Sequence, residues 1–253
     1  MSNRAQHHLN LAILAGERLV ESGAETYRVE DTMMRILAHS QSSSYQAFAY
    51  STGLFASIND EEMKSQTQLR RIHTRSINLN AIATVNSISR AFCADEIDLE
   101  SALDQLTQMT LNPYTPTQAN LGILLLVGGF SLLLGGSLID ASLSLLNALL
   151  LSIFVKLSLK LKANSFIETL GGASLITLGA YLIHHLFPMT HLEILIVSSM
   201  MPLVPGTAIT NAIRDTLYGD YMSGAARALE AIVIAASVAI GVGLGLAIVG
   251  VWL

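Results

Sequence analysis

The chain has 253 residues, of which 51% are hydrophobic and only 13% are charged, and its mean hydropathy is +0.51. That charged fraction is about half the share usual in soluble domains, so the composition indicates a membrane protein. The formal net charge of -5 and the lack of a basic run argue against nucleic acid as a partner. The single cysteine, Cys93, excludes an intramolecular disulfide and a cysteine-based zinc cluster.

Charged residues are concentrated in the first half of the chain. Nine of the 14 Lys and Arg, and 13 of the 19 Asp and Glu, precede Asn112. The N-terminus lacks the basic region and long apolar core of a signal peptide, so we expect the polar first part to stay in the cytoplasm. The sequence thus predicts a cytoplasmic domain at 1–112, a proline-containing linker at 113–118 and a transmembrane domain at 119–253.

The first domain shows alternating helix and strand patterns. Helical spacing covers Ala5 to Val20, and the Ser-x-x-Glu spacing of Ser22 and Glu25 predicts a capping box that starts a second helix. The elements predicted after it are a hairpin or a pair of strands at Tyr45 to Ile58, a strand at Thr67 to Ile77, and helices at Leu79 to Phe92 and Asp98 to Met109. Together they predict a small α+β fold.

The charged residues between Glu17 and Asp31 fit two interpretations. They form a solvated face with pairs at i,i+4, or a binding surface near the membrane. Carboxylates alone do not make an acid/base pair, and the sequence contains no nucleophile or nucleotide motif. We therefore predict no enzymatic activity, no cofactor and no metal site.

Hydropathy after the linker predicts about five transmembrane helices. Their approximate bounds are Ala119 to Ile139, Ala141 to Ser158, Phe166 to Phe187, Leu192 to Leu217 and Ala228 to Leu253. The fold class is therefore an α-helical membrane protein preceded by a small cytoplasmic α+β domain. All five basic residues of this part fall on the predicted cytoplasmic side, which predicts an inner or plasma membrane protein with its N-terminus inside and its C-terminus outside.

The fourth span is broken. Pro202, Pro205 and Gly206 interrupt it, and two prolines so close cannot sit in one regular helix. We expect two half-helices, at Leu192 to Met201 and at Thr207 to Leu217. Such breaks are tolerated in hydrocarbon only where the freed backbone groups are buried in protein or line a watery cavity.

A polar stripe follows the break. On the second half-helix, residues at i, i+3, i+4, i+7 and i+11 share one face: Thr207, Thr210, Asn211, Arg214 and Tyr218. Broken helices mark substrate sites in secondary transporters, where a positive helix end faces an anionic group. One interpretation is a small-anion site with Arg214 as counter-charge. The other is a proline kink whose Arg214 reaches the membrane surface.

Further polar residues lie near the ends of the last spans. Asp215 and Asp220 flank Gly219, and we expect them to cap helices or to close a gate with Arg214 or Arg227; Glu230 is a further candidate for pairing. Gly241 and Gly245 form a G-x-x-x-G pattern, which predicts close helix packing within the chain or against a partner. The histidines at 184, 185 and 191 do not have the spacing of a metal site.

Three segments resemble a known family. They are AGERLVESGAETYRVEDTMMRI from Ala15, LLLGGSLIDA from Leu132 and MPLVPGTAITNAIRDTLYGDYMSGAARALEA from Met201. The chain is similar to the threonine/serine exporter family, ThrE, and more closely to the YjjP-type subunit of its split form. Fused members of that family carry about ten spans, whereas split members share them with a YjjB-type protein.

The resemblance implies a subunit of a secondary transporter that exports small carboxylates or amino acids, either threonine and serine or a dicarboxylate such as succinate. It also implies a YjjB-type membrane partner, with a homo-oligomer as a further option. The substrate-binding candidates are Thr207, Thr210, Asn211, Arg214 and Asp215. Two alternatives from other classes are a membrane-anchored hydrolase that uses the N-terminal domain and a non-transporting sensor or scaffold.

Overall fold

A computed structural model of the chain describes residues 2–60, 63–110 and 114–251. Its contacts group the residues into two compact units. Unit 1 comprises residues 1–113 and 207–228, and unit 2 comprises residues 114–206 and 229–253. The sequence predicts a cytoplasmic domain at 1–112, a linker at 113–118 and a transmembrane domain at 119–253. These boundaries refer to a membrane, and they stay a prediction. Residues 1, 61–62, 111–113 and 252–253 lie outside the described part, and they include the start of the predicted linker.

Unit 1 begins with two helices joined by a tight turn, α1 (Ser2–Glu21) and α2 (Thr26–Ala38). Backbone hydrogen bonds of 3.0 and 3.1 Å close a Schellman motif in which Gly23 has a φ of 78°. Glycine adopts this conformation at low cost. The predicted capping box is wrong: Ser22 belongs to the end of α1, and Glu25 is the residue before α2 and makes no side-chain cap.

A three-stranded antiparallel sheet follows, ordered β1 (Ser44–Tyr50), β2 (Gly53–Asp60) and β3 (Met63–Arg71). The register pairs Tyr50 with Gly53, so the predicted hairpin is confirmed with a two-residue turn. The third strand begins and ends earlier than predicted, because it pairs along the whole of β2. Alternate residues of β2 are buried against the helices, whereas Phe55 lies on the exposed face.

Two helices complete the core of unit 1, α3 (Leu79–Cys93) and α4 (Leu99–Gln108). The side chain of Asp98 caps α4 by accepting from the amide of Ser101 at 2.8 Å. Both helices match the predicted segments within two residues. The thiol of Cys93 is partly buried, and burial raises its pKa.

Unit 2 is built from apolar helices: α5 (Pro116–Leu133), α6 (Leu138–Lys160), α7 (Ser165–Leu186), α8 (Leu192–Met200) and, from residue 229, α10 (Tyr221–Val251). Among the described residues, α6, α7 and α10 are long and apolar enough to cross a membrane. α8 and the helix after it add a fourth span if they are counted as one, and α5 is apolar but shorter. Three to four of the five predicted spans are thus supported, and the count of five stays a prediction.

Small residues allow α10 to pack closely on α7 within unit 2. A Cβ added at Gly245 would lie 2.7 Å from the Cβ of Thr177, and one at Gly241 would lie 2.5 Å from the carbonyl oxygen of Leu170. The hydroxyl of Ser174 donates to the carbonyl oxygen of Gly241 at 2.9 Å. The G-x-x-x-G pattern therefore serves packing inside the chain.

The predicted interruption after α8 is present. Helical structure gives way to a 3-10 turn at Met201–Leu203, Val204 is extended, and α9 (Gly206–Leu217) begins after Pro205. The observed helix bounds agree with the predicted half-helices within one residue.

Candidate functional site

The polar stripe of α9 lies in unit 1, beside the turn between α1 and α2. The amide of Asn211 donates to the carbonyl oxygen of Gly23 at 2.9 Å. Nη1 of Arg214 contacts Oε1 of Glu25 at 2.5 Å. The ring of Tyr218 stacks on that of Tyr27, with centroids 4.1 Å apart. The stripe therefore makes specific contacts with the start of α2.

A second layer of contacts is fully buried. Asp215, at 0% exposure, accepts from the amide of Thr26 at 3.0 Å and from its hydroxyl at 3.3 Å. Nε of Arg227 lies 3.0 Å from Oδ2 of Asp215, and Nη2 of Arg227 donates to the carbonyl oxygen of Ala24 at 2.7 Å. Carboxylate and guanidinium thus satisfy the backbone groups at the start of α2, where a negative charge is favourable.

The carboxylate of Glu25 forms ion pairs with two arginines of unit 1. Burial tends to raise its pKa, but hydrogen bonds from its own backbone amide and from Arg214, together with the charges of Arg28 and Arg214, outweigh burial. The net effect is a lowered pKa, so Glu25 stays ionised at neutral pH. Nε of Arg28 lies 2.9 Å from Oε2 of Glu25, so this carboxylate holds two guanidinium groups.

The other predicted site residues lie on the first turns of α9, in the loop after it and on α10. Thr207 and Thr210 are exposed on the first turns of α9, directly after Pro202, Pro205 and Gly206. Asp220 lies in the loop before α10, and Glu230 is exposed on α10. The stripe thus has an exposed end at Thr207 and Thr210 and, from Asn211 on, contacts with the turn at Gly23 and the start of α2. Substrate binding by Thr207, Thr210, Asn211, Arg214 and Asp215 stays a prediction.

Four of the remaining charges of α1 and α2 form local ion pairs, whereas Glu17 pairs with an arginine of β3. Arg18 pairs with Glu21 at 3.2 Å, and Arg35 pairs with Asp31 at 2.8 Å. These two pairs fit the interpretation as a paired face, and the binding surface near the membrane stays the alternative.

A family comparison connects this arrangement with known proteins. The model of the family described as "putative threonine/serine exporter", ThrE, matches residues 10–249. The chain belongs to the threonine/serine exporter family.

The comparison with single proteins agrees with this membership. A relative of this exporter-family chain is the "Probable threonine/serine exporter" of Mycobacterium tuberculosis strain H37Rv, 22% identical over 241 residues. The match covers 92% of this chain but 45% of the relative, so the chain spans less than half of that protein's length. No solved structure matches the chain significantly.

The contact between α9 and α2 in this ThrE chain was missed by sequence reasoning. Both partners lie in segments that carry the family resemblance, yet Arg214 and Glu25 are 189 positions apart. A weak signal was present: Glu25 lies beside the turn at Gly23, and Arg214 is the one cation in the predicted span from Leu192 to Leu217. Each charge required a partner.

The histidines of the ThrE chain in unit 2 have separate partners. Nδ1 of His184 lies 3.2 Å from Oγ1 of Thr190, and Nδ1 of His191 lies 3.0 Å from Oδ2 of Asp140. Asp140 is buried, and its carboxylate also accepts from the amide of Ser137 in a capping box at the start of α6. These contacts hold the N-terminal ends of α6 and α8 together.

Proposed function

We propose that this chain is one subunit of a secondary transporter that exports small amino acids or carboxylates, and that it acts with a YjjB-type membrane subunit. Family membership supports transport, and the described apolar helices support a membrane location. The substrate classes are threonine and serine or a dicarboxylate such as succinate. All of them carry a carboxylate.

The interrupted helix carries the proposal. The first turn of an α-helix leaves backbone amides without partners in the helix, and these amides with the helix dipole favour an anionic group. On α9 this turn follows Pro205, and Thr207 and Thr210 add two exposed hydroxyl groups. Because Asn211 bonds the turn at Gly23 and Asp215 bonds the start of α2, the exposed end of the stripe is the part best suited to a solute. Arg214, 52% exposed, is its nearest cation along the helix.

The length of the relative supports a second subunit. This chain corresponds to 45% of the relative in Mycobacterium tuberculosis, so more than half of that protein lies outside the match. Transporters built from two repeats place the solute site at the interface between the repeats. We therefore expect this chain to need its partner for efflux. The basic residues of the span ends favour a cytoplasmic N-terminus.

Efflux from reconstituted vesicles tests the proposal. Vesicles of phosphatidylethanolamine and phosphatidylglycerol would contain the chain alone, the YjjB-type subunit alone, or both. They would be loaded with labelled threonine, serine, succinate or acetate, under imposed proton or sodium gradients. We expect gradient-dependent efflux of at least one solute only with both subunits. Folded, co-reconstituted subunits that export none of the panel would overturn the proposal.

Matched threonine variants locate the site. Thr207→Val and Thr210→Val remove the exposed hydroxyl groups and keep the side-chain shape. Thr84→Val is the control, because Thr84 donates to the carbonyl oxygen of Asn80 within its own helix. We expect the first two variants to raise the substrate concentration for half-maximal efflux about tenfold, as expected when a hydrogen bond to a charged group is lost. Equal values for all three variants would remove the α9 hydroxyls from the site.

A further inference from the structure

A small cleft opens in unit 1 between the end of β1 and the loop that joins α9 to α10. Its volume is about 220 Å³, below the usual range for drug-sized ligands. The lining residues used below are Phe48, Tyr50, Asp220, Tyr221 and Ser223. None of them belongs to the polar stripe of α9.

Ser223 provides the first indication of a ligand. Its side chain is 2% exposed, and its Oγ has no hydrogen-bond partner among the described residues. Leaving a buried hydroxyl unpaired is costly, and native structures rarely tolerate it. A polar group from a bound molecule would satisfy this hydroxyl, because Ser223 lines the cleft.

The cleft also carries excess negative charge. Burial raises the pKa of Asp220, and the charge of Asp215 raises it further. Behind the wall of the cleft, Glu30 accepts from the amide of Ala49 at 2.9 Å. Burial raises the pKa of Glu30, and the charge of Asp220 adds to this effect. The two carboxylates therefore repel each other, and a cation beside Asp220 would relieve the repulsion.

Aromatic rings form the rim. The rings of Phe48 and Tyr50 meet edge to face with centroids 4.4 Å apart, and Tyr221 is 68% exposed beside Asp220. Aromatic faces attract organic cations through their quadrupole. An aromatic rim around a single carboxylate suits an ammonium group better than a hard metal ion, which requires several oxygen ligands.

We propose that this cleft binds a small molecule with a protonated amino group, which donates to the carboxylate of Asp220 and to Oγ of Ser223 and packs on the surrounding rings. The site goes beyond the proposed transport function, because it lies away from the exposed end of the α9 stripe. Its occupancy does not require efflux.

Calorimetric titration of the purified full chain in detergent micelles tests the site directly. The probes are n-propylamine, L-threonine and propionate, which separate the amino group from the carboxylate. We expect n-propylamine and L-threonine to bind and propionate not to bind. Absence of binding by both amines, or equal binding of propionate and n-propylamine, would overturn the proposal. Because no partner subunit or gradient is present, failure here leaves the efflux test unaffected.

Variants of two cleft residues then test which side chains bind the amine. Asp220→Asn removes the charge with little change in shape, and we expect it to weaken n-propylamine binding about tenfold or more. Tyr221→Leu changes an exposed ring, so a loss of affinity there does not reflect loss of the fold. Asp104→Asn, on the exposed face of α4, is the matched control. Unchanged affinity in both Asp220→Asn and Tyr221→Leu would refute the site.

Discussion

Arg227 and Asp215 form a buried ion pair in unit 1, with side chains 7% and 0% exposed. Each partner also bonds the backbone at the start of α2, through Ala24 and Thr26. The pair therefore attaches residues 207–228 to the first helices of the chain. Because both groups are removed from water, each depends on the other for compensation of its charge.

Removing one charge of this pair should destabilise unit 1 strongly. Asp215→Asn leaves the guanidinium of Arg227 buried without its counter-charge, so we expect a loss of about 3–5 kcal/mol in the free energy of unfolding. Denaturant unfolding of the full chain in micelles measures this loss, with Asp104→Asn as control. The double variant Asp215→Ala/Arg227→Met should recover part of the loss. If Asp215→Asn is as stable as the control, the pair is not what attaches α9.

The half-exposed pair of Arg214 and Glu25 should behave differently. Solvent screens Arg214, and Glu25 keeps Arg28 as a second partner, so Arg214→Ala should cost only about 0.2–1 kcal/mol of stability. We expect this variant to reach the membrane folded and to abolish efflux in vesicles with both subunits. Arg28→Ala, which removes the other guanidinium from Glu25, should keep efflux. Normal efflux by Arg214→Ala would exclude Arg214 from the solute site.

Helix packing in unit 2 can be tested with two glycines on one helix. A Cβ at Gly245 would lie within 3 Å of Thr177, whereas a Cβ at Gly243 meets nothing within 4 Å. Gly245→Ala should therefore cost about 1–3 kcal/mol through overpacking. Gly243→Ala should leave stability unchanged or raise it. Thermal unfolding of both variants measures the difference in stability. Equal transition temperatures would contradict the packing of α10 on α7.

The contact between His191 and Asp140 should make stability depend on pH. The hydrogen bond to Asp140 and its charge raise the pKa of His191. The stabilisation is therefore present below the ordinary histidine pKa and is lost as the pH rises through the raised value. Transition temperatures between about pH 5 and about pH 8 should fall with rising pH, and His191→Gln should reduce this slope. An identical slope in both proteins would assign the pH dependence to other groups.

Local sequence patterns predicted most helices and strands of this protein. They did not predict which of these elements contact each other. The spacing of apolar residues predicted α1 and α2, and the two prolines predicted the break before α9. Thr52-Gly53, in the middle of the segment from Tyr45 to Ile58, predicted the hairpin, whose turn residues are Ser51 and Thr52. The capping box at Ser22 failed because the same residues also fit the C-terminal turn of the preceding helix. That choice depends on Gly23, whose positive φ ends α1.

Long-range pairing was not encoded in any local pattern. The stripe on α9 was recognised as a polar face, but nothing in its spacing specifies that Asn211 and Arg214 contact the turn at Gly23 and Glu25 rather than a solute. The amide of Asn211 reaches a carbonyl oxygen 188 positions away. The cleft at Ser223 also could not be predicted from the sequence, because its walls come from β1 and from the loop before α10.

The single thiol of Cys93 gives this chain a natural reporter group. Since Cys93 is partly buried and its thiolate is disfavoured, maleimide dyes should label the native protein slowly. Opening of the core around α3 would expose the sulfur and accelerate labelling. The rate of alkylation thus reads out the local integrity of unit 1 in intact membranes, with no engineered cysteine and no background from a second one.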